Sequence, residues 1–260
     1  MAVTETAQVA TATDKASGQV RKRYRRLRGE VRRRIEGGAL ETPQSRAEFL
    51  RWLRSQQREL ILAAATLGAG AASAALGAHW IDKFVRSAFA TGWRHGARAL
   101  ADSNQGGDVS VPQSAEAVSE QISASTPGVS ERRREVRDNL LADLGDAVDD
   151  TATEVERVLA EALREGRSTE ETIGAVNDRL EKVGVARGRQ IAAYHLADAH
   201  TRASAERYRT RGVQQVRVAN PDPCPEICAE KVGPTYSIRE AVTGDLCPFH
   251  PFCVGVVLPA

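Results

Sequence analysis

The sequence predicts an α+β fold, with a mainly helical N-terminal region and a small C-terminal α+β domain that is closed by a Cys/His cluster. Long stretches rich in Ala, Arg and Glu carry apolar residues at helical spacing. Aromatic residues make up only 5% of the 260 residues, which argues against a β-sandwich or barrel. All four cysteines follow residue 220, directly after the first segment that alternates like a strand, 214–219.

Composition divides the chain into four predicted segments. Residues 1–17 are small and polar without periodicity, which predicts a disordered tail, and they lack the apolar core of a secretory signal. Residues 18–101 form a predicted helical region, and the stretch 102–130, with its Ser, Gly and Pro residues, is a predicted linker. The predicted C-terminal domain covers 131–260.

A dense cationic run opens the helical region. Leu27, Val31 and Ile35 recur at helical spacing, so residues 21–36 predict a helix with a thin apolar stripe and a cationic face. The only acid between its cations is Glu30. We expect this face to contact DNA phosphates, and the alternatives are a solvated helix face or an arm that binds an acidic protein. Its nine cations are Arg21, Lys22, Arg23, Arg25, Arg26, Arg28, Arg32, Arg33 and Arg34.

Charge is unevenly distributed along the chain, although the formal net charge is only +2. Residues 1–58 hold 14 Lys and Arg against 6 Asp and Glu, whereas residues 138–181 hold 4 against 13. Partners are therefore predicted region by region. We expect the acidic region to face away from any bound DNA.

The uncharged stretch 60–78 has the length of a membrane span but a different composition. It contains nine Ala and three Gly, and only five residues are Leu or Ile. Those five contribute only about −2 kcal/mol to membrane insertion, whereas small residues at spacings of three and four suit a closely packed helix interface. We predict a protein-packed helix, and the alternative is a membrane span.

Helix boundary signals place the remaining elements. Ser168 and Glu171 form a capping box, and Gly166, Gly184 and Gly212 are predicted helix breaks. A short strand is predicted to follow the last of these glycines. The predicted helices begin near Pro43, Trp80, Ser130, Thr169 and Ala186.

The cysteines and one histidine form the predicted metal site. Cys224 and Cys228 are a C-x3-C pair, and Cys247, His250 and Cys253 follow as C-x2-H-x2-C. Two close groups of soft ligands separated by a loop suit tetrahedral zinc, so we expect four of the five to bind one structural ion. The alternatives are two disulfides, or free thiols with a capping histidine. Catalytic zinc is not expected, because no HExxH or HxE helix supplies a general base.

Short motifs follow one another in order through the C-terminal two-fifths of the chain. LAEALREGRSTEE covers 159–171 and ASAERYRTRGV covers 203–213. Asp222 with the first two cysteines, Gly233, and the sequence HPFC at 250–253 come after them. In this order the motifs resemble the phage Mu F-like family of minor head proteins, also called the phage head morphogenesis domain.

The chain departs from that family at the cysteines. The family commonly ends H-P-x-C-R-C, whereas Val254 and Gly255 follow Cys253 here, so the last cysteine is missing. Cys247 is the candidate to replace it. The first cysteine pair is also one residue wider than the usual C-x-x-C, and valines occupy the preceding strand where an aromatic residue is often found.

The resemblance implies a non-enzymatic structural protein of a tailed virus. Such proteins enter the head with the portal protein, stay inside the capsid and assist head assembly, DNA packaging or DNA exit. The implied partners are the portal, major capsid or scaffold proteins and packaged double-stranded DNA, in the virion and earlier in the host cytoplasm. A membrane-associated or DNA-binding zinc protein is the alternative. A toxin-type enzyme is less favoured, because the sequence has no nucleophile–base signature or phosphate loop.

Overall fold

The computed structural model describes residues 2–62, 79–103, 109–124, 128–219, 226–253 and 255–260, which form a mainly helical chain with a small sheet. The predicted α+β class is confirmed. The helices are α1 (Ala2–Glu36), α2 (Pro43–Leu62), α3 (Asp82–Ser103), α4 (Ala115–Ala124), α5 (Gly128–Arg164), α6 (Thr169–Arg179), α7 (Ala186–Arg209), α8 (Glu226–Ala229) and α9 (Ile238–Thr243). The strands are β1 (Gln215–Ala219), β2 (Thr235–Ser237) and β3 (Val256–Pro259).

The chain divides into two compact units whose segments alternate along the sequence. The helical unit comprises Ala16–Trp80 and Leu140–Ile191, and the C-terminal unit comprises Met1–Lys15, Ile81–Asn139 and Ala192–Ala260. This division differs from the predicted consecutive segments, because α1, α5 and α7 each contribute residues to both units. Composition varies along the chain and divides it into consecutive segments. It therefore does not reveal that each unit is built from segments that are separated in sequence.

In the helical unit, α1 buries the apolar stripe that the sequence predicts. Leu27, Val31 and Ile35 are buried, and Tyr24 continues the stripe by one turn. Burial raises the pKa of the Tyr24 phenol to about 12, and a hydrogen bond with Thr151 opposes part of this shift. The remaining buried apolar residues of the unit come from the preceding turns of α1 and from α2, α5, α6 and the turn after α6.

The predicted disordered tail, residues 1–17, is wrong in the structure, because α1 begins at Ala2. Ala12 and Ala16 are buried at a spacing of four, and Thr13 and Ser17 are buried beside them. Small side chains let a helix approach its neighbours closely, but they produce little amphipathic contrast. A prediction that relies on the spacing of large apolar residues therefore does not detect this part of the helix.

The predicted break at Gly184 is also wrong. A π-helical turn, Leu180–Val185, joins α6 to α7 without interruption. Gly184 is buried, and a Cβ atom there would lie 2.2 Å from Cε1 of Tyr24. The glycine thus gives room for a packed tyrosine ring and does not end the helix. The capping box of Ser168 and Glu171 and the left-handed Gly166 are confirmed.

The sheet of the C-terminal unit is antiparallel, with the strand order β2-β1-β3. Val216 pairs with Tyr236 on one side and Pro259 on the other. Val216 and Val257 belong to the core of the unit together with Tyr208 of α7, whose hydroxyl donates a hydrogen bond to the Val257 carbonyl oxygen at 3.0 Å. This contact fixes β3 against the end of α7.

The predicted linker, 102–130, contains a helix that the sequence reading misses. Helix α4 buries Val118 and Ile122, and the indole of Trp93 donates to Oε1 of Gln121 at 3.1 Å. Helix α5 already begins within the predicted linker. Because α4 has only 10 residues, its apolar pattern is too short to stand out from the surrounding Ser and Gly.

Helices α3 and α7 of the C-terminal unit approach each other at two glycines. A Cβ at Gly92 would lie 2.0 Å from the His200 carbonyl oxygen, and one at Gly96 would lie 2.9 Å from the Ser204 carbonyl oxygen. The Ser204 hydroxyl donates to the Gly92 carbonyl oxygen at 2.8 Å. Glycines four residues apart therefore allow backbone contact between the two helices.

The predicted helix over 60–78 falls mostly outside the described residues. Only its first three residues are described, and they form the end of α2. Among the helices of the described ranges, none combines the length and apolar content needed to cross a membrane.

Candidate functional site

The Cys/His cluster is assembled from three short segments of the C-terminal unit. Helix α8 carries Cys228, the loop after α9 carries Cys247 and His250, and Cys253 lies three residues before β3. The capping box of Ser237 and Glu240 opens α9, and Gly244 ends it in the left-handed conformation. The pairing of β3 with β1 holds the last of these segments in place.

Cys228, His250 and Cys253 bring one potential ligand atom each to within 4.8 Å of one another. The Cys228 and Cys253 sulfurs are 4.0 Å apart, and both thiols are buried. Thiolates bound at about 2.3 Å around a tetrahedral ion lie about 3.8 Å apart. The observed spacing therefore suits a shared ion, and this part of the chain can hold a metal.

The disulfide alternative is not realised among the described cysteines. Cys228, Cys247 and Cys253 are free thiols. Their sulfur separations of 4.0 and 3.6 Å are far above the about 2.05 Å of an S–S bond. Cys224, the fifth predicted ligand, lies outside the described residues.

Cys247 has a different environment from the other two thiols. Its sulfur lies 3.6 Å from Sγ of Cys253, and its S–H donates to the Gly255 carbonyl oxygen at 3.0 Å. The hydrogen bond with Cys253, followed by burial, raises the pKa of Cys247 well above its usual value. Cys247 is therefore a protonated neighbour in this geometry, held against a carbonyl group.

The pKa of Cys253 shifts in the opposite direction from that of Cys247. A hydrogen bond with Cys247 lowers the pKa of Cys253 to about 5, with help from the backbone at Phe249 and Gly255 and from Cys228, although burial opposes the shift. A thiolate at neutral pH is the form that binds a metal ion. The cluster thus offers one preformed anionic ligand.

His250 is the partly exposed member of the cluster. Its Nδ1 lies 2.7 Å from the Pro251 carbonyl oxygen. An Nδ1–H that donates to this oxygen leaves the Nε2 lone pair available, which is the usual arrangement of a histidine that binds a metal. The H-P-x-C motif therefore supplies both a ligand and the carbonyl that orients it.

A small cavity beside the cluster was not foreseen from the sequence. It has a volume of about 120 Å³, and its lining includes Cys253, Phe252 and His200. Burial, followed by the proximity of His95, lowers the pKa of His200 to about 3, so this imidazole is neutral. A histidine in the middle of a helix gives no signal in the sequence that would place it next to a cysteine cluster.

The basic run of α1 is paired more fully than its sequence suggests. Arg28 forms an ion pair with Glu181 at 2.9 Å, and Arg32 pairs with Glu170 at 3.1 Å, both within the helical unit. Although Glu30 is the only acid within the run, the acidic region supplies further partners that are distant in sequence.

Aromatic rings hold two further cations of the run. The Arg23 guanidinium lies 4.3 Å from the ring centroid of Trp80, and that of Arg34 lies 4.1 Å from the ring centroid of Trp52. Arg26 pairs with Glu30 at 3.2 Å. These contacts bind several cations of the run to other side chains of the same protein.

Four cations of the run stay available on the exposed side of α1. They form no ion pair or hydrogen bond with any residue in the described ranges, and Gly29 between them has nothing within 4 Å of an added Cβ. We refer to them as the free cations of α1. The free cations are Arg21, Lys22, Arg25 and Arg33.

Comparisons of the chain with protein-family models, curated proteins and solved structures found no match. The resemblance to the Mu F-like family therefore rests on the motif residues of the sequence alone.

Proposed function

We propose that this chain is a minor head protein of a tailed virus, which associates with the portal inside the capsid and assists head assembly, DNA packaging or DNA exit. One observation carries the proposal. Cys228 belongs to the first cysteine motif of the resemblance and His250 and Cys253 to the last, and their ligand atoms lie within 4.8 Å of one another. Motifs that are separated by 21 residues thus meet at one site, as parts of one domain signature would.

The role we propose is structural, with zinc as the ion of the cluster. Two thiols and an imidazole are the donor set that zinc prefers in structural sites, and the fourth ligand is Cys224 or Cys247. Zinc supplies no chemical step here. It links α8, the loop after α9 and the segment before β3, which are three short segments of the chain.

Metal analysis tests the zinc assignment. We expect about one zinc per chain after purification without added metal, and its loss in Cys228→Ser and Cys253→Ser. Cys224→Ser and Cys247→Ser serve as matched controls, since only the variant that lacks the true fourth ligand loses the ion. Another metal in the purified protein, or zinc that persists in Cys253→Ser, contradicts the assignment.

Virion composition tests the viral role. We expect peptides of this chain in purified virions at low copy number, and its retention by the immobilised portal protein of the same virus. Portal retention is also measured for the zinc-site variant Cys253→Ser. This measurement tests whether portal binding requires an intact zinc site. Absence from virions, combined with no retention by the portal, contradicts the proposal whatever the metal content is.

The alternative, a DNA-binding zinc protein, is favoured by a separate observation, the free cations of α1. Each phosphate that they neutralise steepens the dependence of log affinity on log salt by about 0.9. Replacing all four by Gln should lower that slope by about 3 to 4. Arg28→Gln and Arg32→Gln are matched controls, because these two cations are already paired within the protein. An unchanged slope excludes α1 from DNA contact.

A further inference from the structure

We infer that a concavity in the C-terminal unit, between the first part of α1 and α3, is a binding site for a phosphate group. The concavity has a volume of about 540 Å³, which is in the usual range of ligand pockets. It is distinct from the Cys/His cluster and from the free cations of α1. The site does not depend on the proposed viral role.

The polar side chains of α3 that line this concavity lie on one side of the helix because of their helical spacing. Lys83, Ser87, Thr91 and Arg94 occupy successive turns of one side of α3, and Lys15 faces them from α1. Thr11, one turn before Lys15, and the side chains of Ala12 and Phe84 complete the lining. Lysine, arginine and hydroxyl groups are the side chains that bind phosphate in proteins.

The charges in this concavity are unbalanced. Three of its lining residues are cationic, and no carboxylate among the described side chains lines it. Two acids are adjacent in sequence to its lysines. Arg137 donates to Asp82 at 2.8 Å, and Asp14 lines the separate small cavity beside Cys253. Three cations that face one space repel each other, so an anion with more than one oxygen stabilises the arrangement.

The cations are also free to bind. Lys15 and Arg94 form no ion pair or hydrogen bond with a described residue, and Arg94 is half-buried. The Lys83 ammonium lies 4.9 Å from the centroid of the Phe84 ring and forms no ion pair or hydrogen bond with a residue of the described ranges. The Thr91 hydroxyl donates to the Ser87 carbonyl oxygen, so the Ser87 hydroxyl is the better donor toward a ligand.

These features favour phosphate over a carboxylate. A carboxylate neutralises one of three positive charges, whereas a phosphate monoester carries about two negative charges and three acceptor oxygens. The planar guanidinium of Arg94 matches two of those oxygens, and the two lysines act as point charges. The phosphate comes from a small molecule that carries a phosphate monoester, or from two neighbouring phosphodiesters of a nucleic-acid backbone, each with one negative charge. The experiment below separates these sources.

Thermal unfolding with inorganic phosphate tests the site. At ten times the dissociation constant, we expect phosphate to raise the Tm by about 2–4 °C more than acetate of equal ionic strength. Arg94→Gln should lose this difference, and Arg94→Lys should keep part of it. Arg51→Gln, an exposed position of α2 outside both groups of cations, is the matched control and should behave like the wild type. Because excluded phosphate stabilises any protein, the comparison among variants decides the outcome.

Calorimetric titration with inorganic phosphate gives the affinity directly. We expect the variant Lys83→Gln/Arg94→Gln to bind at least about tenfold more weakly than the wild type, since it loses two charge-assisted contacts. Far-ultraviolet circular dichroism and the Tm, both measured in chloride, check that this double variant is folded like the wild type. Equal phosphate affinity in the folded variant, or no binding by the wild type, overturns the inference.

A 20-base-pair duplex identifies the source of the phosphate. If the site holds the nucleic-acid backbone, the same double variant lowers the salt slope of duplex binding by about 2. If duplex binding is unchanged while phosphate binding is lost, the ligand is a small phosphate compound. Both results support a phosphate site, and neither depends on whether the chain is found in virions.

Discussion

The Cys/His cluster and the helical unit order their parts of the chain by different means. Around the cluster, α8, α9, β2 and β3 contain only three to six residues each. Two thiols and one imidazole converge among them, and the Cys247 sulfur lies 3.6 Å from that of Cys253. In the helical unit, long helices bury apolar stripes, and ion pairs such as Arg54 with Glu156 and Arg58 with Asp149 lie on the surface between helices.

This difference predicts how each region responds to a single change. Where a few groups hold several short segments, the loss of one group removes most of the ordering. Where many small contacts hold long helices, each one contributes little and its loss is tolerated. The cluster should therefore be sensitive to point changes, and the surface of the helical unit should be insensitive.

Metal removal should have the largest effect. Binding of a structural zinc to thiolate ligands contributes on the order of 10 kcal/mol to ordering a small domain. We expect chelation, or Cys253→Ser, to abolish the hydrogen-exchange protection of β3 and α8 while the protection of α2 is kept. Loss of protection throughout the chain would contradict the view that the two regions are ordered separately.

Acidification should come next, through His200. Its pKa is lowered to about 3 in the folded chain, whereas an unfolded histidine has a pKa of about 6.5, so between these values the unfolded state binds more protons. Stability should therefore fall as the pH falls, by about 1.4 kcal/mol per pH unit between pH 6.5 and pH 3.

Urea unfolding at several pH values measures this dependence. His200→Asn keeps a polar side chain but does not titrate, so its stability should depend less steeply on pH below 6.5 than that of the wild type. Both proteins are measured with the same metal content, since acid also releases a thiolate-bound ion. Parallel pH profiles would show that His200 does not carry the effect.

The sequence predicts the elements that local signals specify. Pro43 begins α2, Ser168 and Glu171 cap α6, and β1 follows Gly212 at the expected place. Each of these signals acts within a few residues, through a fixed backbone angle or a side chain that bonds a nearby N–H group. The meeting of His250 and Cys253 was predictable for the same reason.

Features that depend on distant partners were not predictable from local signals. The helix over residues 2–17 is stabilised by burial of Ala12 and Ala16, which no local pattern announces. Arg28 finds its acid 153 positions away, at Glu181. The sequence predicts Cys247 as a candidate metal ligand. Its hydrogen bond to the Gly255 carbonyl oxygen depends on the folded structure and could not be predicted.

The close approach of α3 and α7 offers a third test. In Gly92→Ala the new Cβ would meet the His200 carbonyl oxygen, and backbone atoms on both helices cannot move aside cheaply. We expect destabilisation of about 3 kcal/mol. Gly29→Ala is the matched control on exposed α1, where the added Cβ has nothing within 4 Å, and it should stabilise by about 0.5–1 kcal/mol. Chemical denaturation of both variants checks the two signs.

The smallest effect is expected for the ion pairs of the helical unit. The Arg28 and Glu181 side chains are 39% and 52% exposed, so solvent screens their attraction. A double-mutant cycle with Arg28→Gln and Glu181→Gln should give a coupling of about 0.5 kcal/mol, which disappears in 1 M salt because the Debye length falls to about 3 Å. A coupling above about 2 kcal/mol would mean that the paired charges do order this unit. In that case a few contacts would dominate the stability of both regions. The two regions would then differ only in the type of contact, ion pairs in the helical unit and metal ligands in the cluster.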